Sequence, residues 1–128
     1  MIHEEICTYE VCKLAKEKGF NGKCYHYYQK GELQTDICFN RYNKGVDSIC
    51  SAPTQSLLQR WLREEKGLCI SVEAYPTLAI NGKICFAWVI KSGSDGHFME
   101  LNDSLQTFST YELSLEDALK YALENLLN

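Results

Sequence analysis

The stretch 53–67, P-T-Q-S-L-L-Q-R-W-L-R-E-E-K-G, most narrows what this chain can fold into. Leu57, Leu58, Trp61 and Leu62 recur at i, i+1, i+4 and i+5, which sets them on one side of a 3.6-residue helix. Gln55, Gln59, Arg60, Arg63 and Glu64 fall largely on the other side. Pro53 suits a first turn, where its missing N–H has no intrahelical partner. Gly67 suits the position just past the end, where φ > 0 is wanted. A buried indole removes roughly 150–250 Å² from water. The face that carries Trp61 is therefore expected to anchor a core.

Two more helices are predicted. Over 8–18, Thr8 is the N-cap, Glu10 favours the first turn, and Val11, Leu14 and Ala15 form a narrow apolar stripe. Gly19 stops this helix, and Phe20 is placed to fold back on its last turn in a Schellman-type ending. Over 114–127, Ser114 is the expected N-cap, with Asp117 where the second half of a capping box belongs. Leu115, Ala118, Leu119, Ala122, Leu123 and Leu126 then make a continuous stripe that should close one face of a sheet.

Strands are expected between the helices. Segments 23–28 and 35–39 read as a hairpin turning at 29–32, with Cys24, His26 and Tyr28 on one face of the first arm. Segment 40–52 carries loop chemistry. Segment 68–75 alternates cleanly, with Leu68, Ile70, Val72 and Ala74 on one side, until Pro76 interrupts it. Asn81-Gly82 is the strongest tight-turn signal, followed by an apolar strand at 84–91 and a loop at 92–96. One more short strand is expected near 105–108. The fold class is thus α+β: one antiparallel sheet of four or five strands with two or three packed helices, in the order α-β-β-α-β-β-α.

An echo links the halves. Leu14 to Phe20 and Leu62 to Leu68 share a leucine, a K-G stop and a following apolar residue. A duplicated helix–strand–strand unit (8–39 and 54–91) would produce it, and so would two unrelated helices using the same stop, the simpler account.

At 128 residues a single compact domain is enough to bury a core. The net charge of −4, with basic residues scattered among acids, speaks against nucleic acid as a partner. No apolar run approaches the ~20 residues a membrane span needs. Met1-Ile2 leads directly into His3-Glu4-Glu5, with no basic start or apolar stretch, so a cytoplasmic setting is expected. Seven cysteines at irregular spacing, with no C-x-x-C, argue for free thiols rather than a disulfide framework. Their default role is that of small buried hydrophobes.

The phrase A-P-T-Q-S-L-L-Q-R-W-L-R-E-E-K-G at 52–67, with K-L-A-K-E-K-G-F at 13–20 and the acidic-leucine terminal helix, resembles small uncharacterised proteins of phages and mobile elements of anaerobic gut bacteria. A W-L-R-E-x-K-G helix end is their most specific mark, and the chain departs from them over 77–89. The resemblance implies source and context only. It brings no activity, cofactor or catalytic residue.

Candidate chemistry is sparse. Cys24 and His26 share a strand face, and Cys38 would join them across the hairpin as a zinc-type set, with Cys50 or Cys69 as a fourth ligand. A C-x-H pair on a strand is common by chance, so no metal or cofactor is expected. A cysteine activated by His26 or His97, with Asp95 or Asp103 as orienter, is the catalytic alternative. No G-x-S-x-G, P-loop, H-E-x-x-H or G-x-G-x-x-G is present. Tyr25, Tyr27, Tyr28 and Tyr75, with Tyr42, form a candidate interaction surface, since tyrosine gives large contact area with few rotors. The expected function is a non-enzymatic accessory protein that meets a protein partner or a second copy of itself. The alternative is a cysteine- or metal-dependent enzyme using the Cys24/His26 face.

Overall fold

A computed structural model of the chain describes residues 3–35, 49–76, 83–94, 97–104 and 106–127. The fold is α+β, with three helices and two antiparallel sheets of three strands each. This corrects the expected single sheet of four or five strands. The order is α1 (Tyr9–Glu17), β1 (His26–Gln29), β2 (Glu32–Thr35), β3 (Ile49–Ser51), α2 (Gln55–Lys66), β4 (Leu68–Pro76), β5 (Ile84–Ser94), β6 (His97–Asp103) and α3 (Tyr111–Tyr121). A π-helical turn, Ala122–Leu126, follows α3.

The first sheet has the order β2-β1-β3. Lys30 and Gly31 both have positive φ (52° and 78°), the signature of a two-residue turn whose twist matches its strands. β2 therefore begins at Glu32, opposite Gln29, and not at Thr35. Residues 36–39 of the expected arm lie outside the described residues, as does the Asn81-Gly82 turn. β3 falls within the stretch read as a loop. Its three residues pair with β1, Cys50 opposite Tyr28, and a strand this short leaves no alternation to read.

The second sheet, β4-β5-β6, is a long meander. Leu68 and Ile70 are buried and Val72 half-buried on one face, while Ser71, Glu73 and Tyr75 are exposed on the other, as the alternation required; Ala74, expected on the inner side, is exposed near the strand's end. β5 runs on through Ser94, so Ser92–Ser94 is strand where a loop was expected. The last strand is His97–Asp103. In the region where a strand was expected, Phe108 makes an isolated bridge to Phe86. The two sheets differ in order: the central strand of the first is its first in the chain, and that of the second is its middle one.

The signals of the first helix hold in detail, while Pro53, expected in the first turn of the second, lies just before its N-cap. Thr8 caps α1, and the ending is a full Schellman motif: Phe20 N–H donates to Ala15 O at 2.9 Å and Gly19 N–H to Lys16 O at 3.1 Å. Phe20 is 1% exposed and stacks edge-on against Trp61, ring centroids 5.4 Å apart. Cys7 and Cys12 flank the Thr8 cap as a buried apolar staple. In α2 the N-cap is Thr54, with Pro53 just outside, and Gly67 closes the helix at φ 68°. Trp61 and its neighbours Leu58 and Leu62 enter the core as expected, but so does Gln55, whose spacing places it on the solvent side.

α3 corrects the sequence reading. Its N-cap is Thr110, four residues before Ser114, and Thr110 Oγ1 accepts from Leu113 N–H at 3.0 Å. Ser114 is fully buried inside the helix, and its hydroxyl has no hydrogen-bond partner among the described residues. Among the described residues Asp117 caps no helix. Its Oδ2 accepts from the indole N–H of Trp88 at 2.9 Å and so pins the helix to β5. Glu116 binds two helix starts together: Oε2 accepts from Thr8 N–H and Oγ1 (3.0 and 2.9 Å), and Oε1 accepts from Gln55 Nε2 (2.9 Å). A carboxylate is well placed beside two helix N-termini.

Candidate functional site

α2 has two working faces. Leu58, Trp61 and Leu62 are spent on the core. Ser56, Arg60 and Arg63, at i, i+4 and i+7, line up on the outer side and border an open groove of about 600 Å³. Lys23, Cys24, Tyr25 and His26 form the opposite border, and the buried Ala52 and Pro53, with Leu57, lie between.

Local sequence explains why these segments meet. A Cβ at Gly22 would sit 2.6 Å from the Phe20 ring, so only glycine lets the chain pass this close as it leaves α1. Residues 23–26 then run into β1, and Ala52 N–H donates to His26 O at 2.9 Å, fastening this border to the lead-in of α2. The N-terminal segment closes the end. Cys7 N–H donates to Pro53 O and Gln55 N–H to Glu5 O (3.0 and 2.8 Å), which brings Glu4 onto the Ser56 hydroxyl at 2.9 Å.

The groove is cationic in an acidic protein. Among the described residues Lys23, Arg60 and Arg63 line it with one acid, Glu4, whereas the whole chain carries a net charge of −4. Arg60 meets Glu64 through Nε at 2.9 Å in an exposed i,i+4 pair, a contact that contributes little in water. Arg63 has no ion pair among the described residues. Sequence reasoning treated these cations as a scattered solvated face. The readable signal was the Ser56–Arg60–Arg63 spacing along one side of α2.

The tyrosines do not gather. Tyr25, 55% exposed, is the only one of the four candidates that lines the groove. Tyr27 is half-buried. Tyr28 turns inward, donating to Cys7 O at 2.7 Å and meeting Tyr9 edge-on at 5.5 Å. Tyr75 belongs to the second sheet, where its hydroxyl donates to Glu73 Oε2 at 2.6 Å. Tyr42 lies outside the described residues.

Cys24 and His26 do share the groove border. Cys38 and Asp95 lie outside the described residues. Cys50 is buried in β3, Cys69 belongs to β4, and His97 and Asp103 belong to β6. Among the described residues no group of three or more His, Cys, Asp or Glu is placed to hold a metal ion. Burial pushes the Cys24 thiol up to about 12, helped by the neighbouring Cys12. Burial likewise pushes Cys50 up to about 11. The Cys7 thiol is raised by its hydrogen bond with Cys12 and then by burial. Thiols held protonated in this way are poor nucleophiles at neutral pH. No helix among the described residues is long and apolar enough to cross a membrane.

Set against protein-family models, curated proteins and solved structures, the chain matches none of them.

Proposed function

We propose that the protein is a non-enzymatic interaction module, a small cytosolic accessory protein of phage or mobile-element type that holds a segment of a partner protein in the groove beside α2. The observation that carries this reading is the groove itself. It is open, it joins an apolar base to a polar rim, and an exposed tyrosine stands on its border. Recognition surfaces combine those elements, with tyrosine giving rigid contact area. Its volume falls in the range of roughly 300–1,000 Å³ typical of ligand sites, suited to a short run of side chains rather than to a folded domain. The free thiols Cys7, Cys12, Cys24, Cys50, Cys69 and Cys85 are in keeping with a reducing compartment. The phage or mobile-element setting rests on the resemblance of 52–67, 13–20 and the acidic-leucine terminal helix, with W-L-R-E-x-K-G as its most specific mark.

An enzyme built on the Cys24/His26 face would need a thiolate there, and burial of Cys24 works against one.

The test is selection from a random-peptide display library on the intact chain, followed by rebinding to Ser56→Trp, which puts an indole in the groove. Ser56 is exposed, so the variant should fold. Selected peptides are expected to lose binding to the variant. Equal binding to both proteins, or no selected peptides, would contradict the reading.

A further inference from the structure

We infer that the segment the groove accepts is acidic: an extended peptide whose carboxylates meet Arg63 and Arg60 while an apolar side chain settles on Leu57. This rests on the interaction-module reading above and adds the chemistry of the occupant.

Charge complementarity is the first argument. Among the described residues three cations to one acid line the groove, the reverse of the chain's overall balance, so it stands out against an acidic background. Such contrast steers partners of opposite sign and suppresses wrong ones. Helix geometry is the second. Arg60 and Arg63 leave α2 three residues apart, on one side, as neighbours about one turn apart. A guanidinium offers five N–H donors in a rigid fork suited to a carboxylate. Arg60 contacts Glu64 through Nε in an exposed pair, which a better-placed acid can replace.

The base of the groove separates a peptide from a nucleic acid. The half-buried Leu57, backed by the buried Ala52 and Pro53, offers apolar surface for a side chain. Single-stranded nucleic acid would instead follow a continuous basic track beside stacking rings. Here the track is interrupted by Glu4, which holds the Ser56 hydroxyl, and Tyr25 and His26 are the rings that line it among the described residues.

Fluorescence anisotropy decides the matter with three labelled probes: an alternating Glu/Leu peptide, its Gln/Leu counterpart and oligothymidylate. The Glu/Leu probe is expected to bind about tenfold more tightly than the Gln/Leu probe, the equivalent of one charge-assisted hydrogen bond. That advantage should disappear in Arg63→Glu, with unchanged near-ultraviolet circular dichroism from Trp61 and Trp88 as the folding control. Equal binding of the Glu and Gln probes, both lost in Ser56→Trp, would overturn the acidic occupant and leave the interaction module standing. Tighter binding of oligothymidylate than of either peptide would overturn it in favour of nucleic acid. Binding of no probe would remove both the inference and the reading beneath it.

Discussion

The two sheets contain the same number of strands and are held in different ways. β4, β5 and β6 run for nine, eleven and seven residues, and their buried face carries Leu68, Ile70, Trp88 and Ile90. β1, β2 and β3 manage four, four and three residues. Side-chain pins from elsewhere hold this shorter sheet. Tyr28 reaches Cys7 O, Lys16 Nζ donates to Ile49 O at 2.7 Å, and Cys50 packs with the buried thiols beneath α1. The long sheet is stabilised by area and the short one by particular contacts. The groove opens beside the short one, where less backbone is committed to pairing and polar side chains remain available for a partner.

The largest effect expected is in the long sheet. Trp88→Ala removes a 3%-exposed indole, its stacking on Tyr121 and its bond to Asp117, and should cost about 3–5 kcal/mol in urea melts. A loss near 1 kcal/mol would mean that the long sheet does not depend on its core face. Glu116→Ala comes next, at about 2–3 kcal/mol, because three donors at the starts of α1 and α2 lose one charged acceptor. A neutral result would show that the two helices are joined by apolar packing alone.

Alkaline pH should strike the short sheet. Cys24, Cys50 and Tyr28 have folded pKa values raised to about 12, 11 and 12, so the fold favours their neutral forms. Their contribution is fully present below the unfolded values of about 8.5–10 and is lost as pH rises through 11 to 12. The melting temperature should therefore hold steady to about pH 8.5 and fall above it. A decline already under way below pH 8 would mean that these groups are more open to water than their packing implies.

Ser114→Ala gives the smallest effect and an informative sign. A buried hydroxyl without a partner costs stability, so its removal should add up to about 1 kcal/mol. Were Ser114 the cap of α3, the same change would remove about 1 kcal/mol.

These cases show what the sequence could and could not reveal. α1, α2 and the alternation of β4 were legible because capping, glycine stops and period-2 patterning are local, and each neighbouring signal agrees. β3 was hidden because three residues carry no period and its pairing partners lie twenty or more positions earlier. The start of α3 was misplaced because Ser114 looks like a cap, while Thr110 actually supplies it and Ser114 lies inside the core. The candidate site was half legible. Cys24, Tyr25 and His26 were named for chemistry or contact and do line the groove, while Arg60 and Arg63 passed as ordinary solvated charge. Nothing local tells a helix's outer face that another segment runs opposite it.

The central claim is that α2 stabilises the fold with one face and receives a partner with the other. The most direct test is a titration of the ¹⁵N-labelled chain with the Glu/Leu peptide, followed by amide chemical shifts. Shifts confined to residues 23–26 and the Ser56–Arg60–Arg63 side of α2 are predicted, with the amides of β4–β6 unmoved. Shifts centred on the exposed face of the long sheet around Tyr75, or no shifts at all, would contradict the account.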